Sequence, residues 1–76
     1  MEMSDRSRAA VEFLKDRGGE ASMKDLCIAL GYSWPAQLEI ARGVMIRLER
    51  RGFVRKFVRP TRESRVAYYA LSNSHG

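Results

Sequence analysis

The feature that most constrains the fold is a change of hydrophobic period at Gly52. Before it, apolar residues recur at i, i+3, i+7 and i+10, the spacing that places side chains on one face of an α-helix: Leu38, Ala41, Met45 and Leu48. Pro35 suits the first turn of such a helix, and Gly52 suits the position just past its end. The pattern predicts a helix over about 36–51 with this apolar face in the core.

After Gly52 the period falls to two, which is typical of a β-strand. Two sets of side chains alternate: Val54, Lys56 and Val58 against Phe53, Arg55, Phe57 and Arg59. Residues 60–64 break the alternation and residues 65–71 resume it, so we predict a β-hairpin with its loop near 61–64. Tyr68 and Tyr69 point to opposite faces of the second strand, so one should be core and the other exposed beside Phe57.

The first thirty residues predict two shorter helices. Ser4 is a good N-cap for a helix over about 5–17 that stops at Gly18-Gly19, and 20–21 can form a very short strand. Ser22 and Asp25 form the S-x-x-D version of a capping box, which opens a helix over about 23–30. The glycine-containing turn at 31–34 then joins this helix to the long one, which is a helix-turn-helix arrangement.

The positive charge of the chain is segregated along the sequence. Residues 1–41 carry five Lys or Arg against seven Asp or Glu, a balance of −2, whereas residues 42–76 carry nine against two, a balance of +7. Eight of those nine are Arg, whose planar guanidinium suits phosphate oxygens and guanine edges, so we expect a polyanionic partner and the arginines gathered on one side of the fold. The alternative is a solvated basic face that only keeps a small protein soluble.

Size and residue counts limit the possible functions. The 76 residues predict one domain, 1–76, with an ordered core over about 4–72 and a polar tail at 73–76. His75 and Cys27 are the single copies of their residue types, so we expect no catalytic triad, metal site or cofactor site. We therefore do not expect the protein to be an enzyme. Cys27 is predicted to be a small buried hydrophobe. We expect no membrane span and no small-molecule effector, and a cytoplasmic location.

The order helix, short strand, helix, turn, helix, strand, loop, strand resembles the winged-helix family. GGEASMKDLCIALGYS looks like the connection and turn around its second helix, and MIRLERRGFVRK looks like the end of its recognition helix running into the wing. The resemblance covers about Ser4 to Ser72 and implies an α+β fold, a three-helix core with a helix-turn-helix and a C-terminal two-stranded wing. It also implies a DNA-binding transcriptional regulator, with helix 36–51 in the major groove and the basic wing, 55–65, on the phosphate backbone or in the minor groove.

Candidate DNA-binding residues follow from this arrangement: Trp34, Gln37, Arg42, Gly43, Arg47, Arg55, Arg59, Arg62 and Arg65. The resemblance points to Gln37, Arg42 and Arg47 as base readers. For the two arginines, phosphate contact or pairing with a side chain four residues away on the helix is an equal alternative. Trp34 either stacks on the sugar-phosphate backbone or caps the core. Gly43 implies close approach of DNA or of the first helix. Only one of Arg55 and its neighbour Lys56 is expected on the wing surface that meets DNA, because strand residues alternate.

Two rival functions remain. A winged helix can serve as a protein-interaction or assembly module, for which Ile40, Ile46 and Phe57 would supply the contact surface. It can also bind RNA or nucleic acid of any sequence without regulating transcription. We further expect a homodimer on a palindromic DNA site, formed through the first helix or the outer hairpin face, because one module makes few base contacts.

Overall fold

The computed structural model describes residues 3–72, which form three helices and one three-stranded antiparallel sheet. The elements, in chain order, are α1 (Asp5–Asp16), β1 (Glu20–Ser22), α2 (Met23–Ala29), α3 (Leu38–Arg50), β2 (Val54–Pro60) and β3 (Arg65–Leu71). Each element lies within two residues of its predicted position. The predicted polar tail at 73–76 lies outside the described residues.

Both short helices begin as their cap residues predict. The Ser4 hydroxyl accepts the backbone N–H of Ser7 at 3.2 Å, and the Ser22 hydroxyl accepts that of Asp25 at 3.1 Å. Each bond satisfies a first-turn N–H that has no partner inside the helix. At the other end of α2, the Arg6 guanidinium of α1 donates to the Leu30 carbonyl oxygen. The helix-turn-helix is therefore held at its start by Ser22 and at its turn by α1.

The third helix starts later than predicted, at Leu38 rather than 36. Residues 33–37 form a turn instead, because the Gln37 backbone N–H donates to the Ser33 carbonyl and the Gln37 Oε1 accepts the Ser33 N–H, both at 2.8 Å. Pro35 lies inside this turn and not in the first turn of the helix. Gly52 follows the end of α3 in a left-handed conformation (φ 84°), as predicted.

The central strand of the sheet is β3, which pairs with β1 on one side and β2 on the other. The short strand predicted at 20–21 therefore joins the hairpin as a third strand. Cross-strand partners share a face, and Lys56 pairs with Tyr69 while Phe57 pairs with Tyr68. Tyr69 is 1% exposed in the core, and Tyr68 is on the outer face beside Phe57, as alternation predicts.

A single apolar core lies between the helices and the inner face of the sheet. Its fully buried side chains come from every helix and from the central strand: Leu14, Leu26, Cys27, Met45, Leu48 and Tyr69. Ala41 is also fully buried and Leu38 is half-buried, so the predicted core face of α3 is confirmed. The burial of Cys27 agrees with its interpretation as a small hydrophobe. The opposite surface of α3 is left without covering.

Candidate nucleic-acid interface

The uncovered surface of α3 is defined by its buried side. Because Ala41, Met45 and Leu48 occupy the core, side chains about half a turn away face outward. These outward residues are Glu39, Ile40, Gly43, Ile46, Arg47 and Arg50. Ile40 is 51% exposed, and Arg47 and Arg50 are exposed as well. The helix thus presents a mixed apolar and basic surface that no other described element covers.

A groove of about 350 Å³ runs between α3 and the inner side of the hairpin. Four basic side chains line it, each from a different element: Lys24 of α2, Arg42 of α3, Lys56 of β2 and Arg65 of β3. Trp34, just before α3, also lines the groove and is 38% exposed. The fold therefore brings together positive charges that are up to 41 residues apart in sequence. We call this site the wing groove.

Most of the charge in the wing groove is not neutralised. Arg42 Nη1 donates to both carboxylate oxygens of Glu39, at 3.1 and 3.3 Å. Within residues 3–72, Lys24, Lys56 and Arg65 form no ion pair. Four positive charges therefore line the groove, and the carboxylates near it are those of Glu39, which pairs with Arg42, and Glu49, whose charge acts on Tyr69. A row of phosphates is the kind of ligand that such a site attracts.

Two of the predicted wing residues, Arg55 and Arg59, lie on the outer face of the sheet and not in the wing groove. Arg59 Nη2 donates to Glu20 Oε1 of β1 at 2.8 Å. Its guanidinium carbon also lies 5.1 Å from the Phe57 ring centroid and 4.8 Å from that of Tyr68, and these two rings stack on each other at 5.6 Å. Arg59 is thus engaged within the chain, four residues after Arg55 on the same face of the strand.

The arginines at the end of α3 lie on a further surface. Arg47, Arg50 and Arg51 line a shallow depression of about 320 Å³ together with Ser4 and Ser7 at the start of α1. With the wing groove and the outer sheet face, this makes three separate basic surfaces. The expectation that the arginines gather on one side is therefore wrong, because helical and strand periods distribute adjacent arginines around each element.

The wing tip carries Arg62 in a loop that is closed by Thr61. The Thr61 hydroxyl donates to the Ser64 carbonyl at 2.7 Å and accepts the Ser64 N–H at 3.1 Å, and the Thr61 N–H donates to the same carbonyl. These bonds shape the turn and leave Arg62 exposed at its tip. Arg65 begins the next strand, so both arginines extend the basic surface of the wing groove outward.

Gly43 lies on the uncovered part of α3, where the sequence places it, whereas Gln37 precedes the helix, is half-buried and lies four residues before the fully buried Ala41. The Gln37 side-chain carbonyl is used in the turn before the helix, while its amide NH₂ has no hydrogen bond within the described residues. A Cβ built on Gly43 would meet no heavy atom within 4 Å. Close approach of α1 is therefore not the reason for this glycine.

Sequence reasoning missed Lys24 and, of the alternating pair Arg55 and Lys56, selected Arg55, whereas Lys56 is the one in the wing groove. A usable signal existed for Lys56, because it lies two residues after the buried Val54 and must share its face of the strand. No local signal existed for Lys24. It is the second residue of α2, and only the packing of α2 against β3 and α3 brings it to the groove.

Residues 3–72 contain neither a cluster of metal ligands nor a helix that could span a membrane. No group of three His, Cys, Asp or Glu side chains there is close enough to hold a metal ion. No helix in the same part of the chain is both long and apolar enough to span a bilayer.

Comparisons with known proteins support the fold. No protein-family model matches the chain, and no curated protein sequence matches it. Among solved structures, it is similar to Stf76 from the Sulfolobus islandicus plasmid-virus pSSVx, with a TM-score of 0.75 and 18% sequence identity. The match covers 90% of this chain and 82% of Stf76. At this identity the likeness concerns the fold alone, and with the element order it confirms the α+β winged-helix fold.

Proposed function

We propose that this chain binds duplex DNA and acts as a small transcriptional regulator, with the exposed side of α3 in the major groove. The observation that carries the proposal is the wing groove, in which Lys24, Arg42, Lys56 and Arg65 converge beside an uncovered helix. An α-helix is about 10–12 Å across with its side chains, and the major groove of B-DNA is about 12 Å wide. One DNA strand can then run past the wing groove while α3 faces the base edges.

The residues divide into two roles in this arrangement. Lys24, Lys56 and Arg65 contact phosphates, which sets the position of the protein on DNA without reading its sequence. Arg42 lies on the side of α3 that meets the wing groove, and Arg47 lies on its outward surface. Arg42, Arg47 and the free amide of Gln37 are the polar groups that we assign to base edges.

The salt dependence of DNA binding tests this proposal. Fluorescence anisotropy with random-sequence duplex over a salt series should give a log–log slope of about −0.9 for each phosphate neutralised, near −4.5 for about five contacts. The double variant Lys24→Ala with Lys56→Ala should reduce that slope by about 1.8. The matched control replaces Arg8 and Lys15, two exposed basic residues of α1, and should leave the slope unchanged. Equal effects of the two double variants would contradict the assigned surface.

A protein-interaction module is the second candidate, and the exposure of Ile40 favours it. The predicted contact surface does not form as one patch, however. Ile40 and Ile46 lie on α3, whereas Phe57 lies on the outer sheet face, stacked against Tyr68 and covered by Arg59. A chain that binds no duplex at low salt would support this second function.

Competition separates regulatory DNA binding from general nucleic-acid binding. A-form RNA has a deep and narrow major groove that an α-helix does not enter, so a protein that uses α3 should prefer DNA duplex to RNA duplex of equal length. Selection of bound sites from a random DNA pool should then yield a defined sequence. Equal binding to both duplexes, with no selected sequence, would support the non-specific alternative.

The remaining expectations are part of the same proposal. We propose a homodimer that occupies two half-sites of a palindrome, which sedimentation of the free protein and of its DNA complex would test. We also propose that the chain binds DNA without catalysing a reaction or requiring a cofactor or effector, and that it works in the cytoplasm.

A further inference from the structure

Gly43 lies in the middle of α3, on the helix surface that faces away from the core. Glycine is among the least favourable residues for a helix interior, because it loses the most backbone freedom on folding. Such a position normally has a structural reason, such as a left-handed conformation or a close neighbour. A substitution to alanine is the simplest way to ask whether that reason exists here.

Neither reason is present at Gly43. The glycines with positive φ in residues 3–72 are Gly18, Gly19, Gly31 and Gly52, so the backbone of Gly43 is ordinary helix. A Cβ at this position would have no heavy atom within 4 Å among the atoms surrounding it. The described part of the chain would therefore accept alanine, with a gain in stability. A contact from outside the chain is the remaining kind of structural reason for a glycine at this position.

The surroundings of Gly43 indicate the chemistry of that contact. Ile40 and Ile46 lie three residues before and three residues after it, on the same side of the helix. Ile40 is 51% exposed and Ile46 is half-buried, so both offer apolar surface beside the open space. The charged neighbours along this side are Glu39 and Arg47, four residues away in each direction. The centre of the uncovered surface is thus an apolar gap, at least as large as a methyl group, between two isoleucines.

We propose that this gap receives the C5 methyl group of thymine when α3 lies in the major groove, and that Gly43 makes the protein prefer A·T pairs at that position. The inference rests on the proposed DNA-binding function. Thymine is the only standard base that presents a methyl group in the major groove. The other edges there present hydrogen-bonding groups, which the two isoleucines would leave unpaired, at a cost in affinity. A Cβ at residue 43 would occupy the space that the methyl group needs.

The test compares two duplexes that differ only in that methyl group. One is an alternating dA·dT duplex of about 20 base pairs, two helical turns, and the other carries deoxyuridine in place of every thymidine. Because the repeat places thymine in every register, no knowledge of the natural site is needed. One buried methyl group corresponds to about a fourfold difference in affinity. The unmodified protein should therefore bind the thymidine duplex about fourfold more tightly by fluorescence anisotropy.

Three variants locate the effect. Gly43→Ala should bind the thymidine duplex more weakly and should bind both duplexes about equally. Ile40→Ala should also reduce the preference for thymidine, whereas Ile28→Ala, which truncates an isoleucine of α2 that is 54% exposed, should retain it. The urea midpoint of Gly43→Ala should be at or above that of the unmodified protein, so that its weaker binding does not reflect loss of fold.

The possible results separate this inference from the proposed function. If the unmodified protein binds both duplexes equally, or if Gly43→Ala keeps the thymidine preference, the methyl contact is wrong and DNA binding stands. If the unmodified protein binds neither duplex at low salt, both the proposed function and the inference fail. A thymidine preference that is present in the unmodified protein and lost in Gly43→Ala supports both.

Discussion

At the scale of single residues, Tyr69 connects the core to the wing groove. Its ring is buried in the core, and the residue also lines the floor of the groove opposite Lys56 on the neighbouring strand. Burial raises the pKa of the Tyr69 hydroxyl above its ordinary value of 10.0; the charge of Glu49 adds to this shift and that of Arg42 opposes it. The folded protein therefore holds Tyr69 neutral at a pH where the unfolded chain ionises it.

Tyr69→Phe should change how stability depends on pH in the alkaline range. Because the pKa of Tyr69 is higher in the folded protein than in the unfolded chain, the group stabilises the fold at a pH below the unfolded-chain pKa. This stability is lost as the pH rises from about 10 through the folded-state pKa. The free energy of unfolding should thus fall more steeply above pH 10 in the unmodified protein than in Tyr69→Phe. Urea unfolding at several pH values between 8 and 11 measures the difference. Parallel curves across that range would contradict the assignment.

At the scale of elements, the strand β2 divides the basic residues of the wing between two surfaces. Lys56 shares a face with Tyr69 and lies in the wing groove, whereas Arg55 and Arg59 share the outer face. Arg59 is further held by Glu20 and by two aromatic rings. A strand that looks uniformly basic in sequence therefore has one basic side chain facing the proposed DNA and two facing away.

Lys56→Ala and Arg59→Ala should consequently differ in their effect on DNA binding. Removing Lys56 deletes a phosphate contact, so affinity should fall and the salt slope should decrease by about 0.9. Removing Arg59 should leave the salt slope unchanged. It should lower the free energy of unfolding by no more than about 1 kcal/mol, because the Arg59–Glu20 ion pair is half-exposed. Anisotropy titrations over a salt series, with urea unfolding alongside, compare the two. A larger loss of affinity in Arg59→Ala would place the outer face on the DNA.

The cap of α2 allows a second prediction at this scale. Ser22 satisfies the N–H of Asp25 at the start of a helix of only seven residues, so Ser22→Ala should lower the free energy of unfolding by about 1 kcal/mol. Ser33→Ala is the matched control, because Ser33 is exposed and its hydrogen bonds to Gln37 use only its backbone. The free energy of unfolding of this variant should stay within about 0.5 kcal/mol of that of the unmodified protein. Urea unfolding measures both. Equal losses in the two variants would show that the cap contributes nothing.

At the scale of the whole molecule, the net charge of +5 is distributed over three basic surfaces. The wing groove and the depression at the end of α3 both combine a concave shape with charge that is largely unpaired within the described residues, but only the wing groove lies between α3 and the hairpin. The wing tip, with Arg62 and Arg65, extends it, and Arg42 links it to α3. This arrangement separates residues that position the protein on DNA from residues that read its sequence.

That separation predicts two different outcomes for charge variants. Arg62→Glu combined with Arg65→Glu should weaken binding to all duplex sequences by a similar factor, because phosphates are the same in every sequence. Arg42→Ala should instead change the order of preference among sequences, by about 1–3 kcal/mol at the affected base pair. Titration of a panel of duplexes measures both effects. If the two variants act alike, the division of roles is wrong.

The sequence by itself determined the elements of this protein and the burial of their faces. Helical and strand periods, the serine caps at positions 4 and 22, and the glycine after α3 are local features, so each predicts its own segment whatever surrounds it. The later start of α3 is a small departure, caused by the bonds between Ser33 and Gln37. Alternation alone also placed Tyr68 and Tyr69 on opposite faces of β3, and the structure shows that Tyr69 is the buried one.

Only the tertiary structure decided which charges lie together. Lys24 reaches the wing groove because α2 packs beside β3. Alternation already placed Arg59 on the outer face, and the structure adds that Glu20, 39 residues earlier, lies on that same face and pairs with it. The structure also excluded an internal neighbour as the reason for Gly43. The physical reason is that periodicity sets the direction of a side chain relative to its own element, whereas a binding site depends on how distant elements pack against one another.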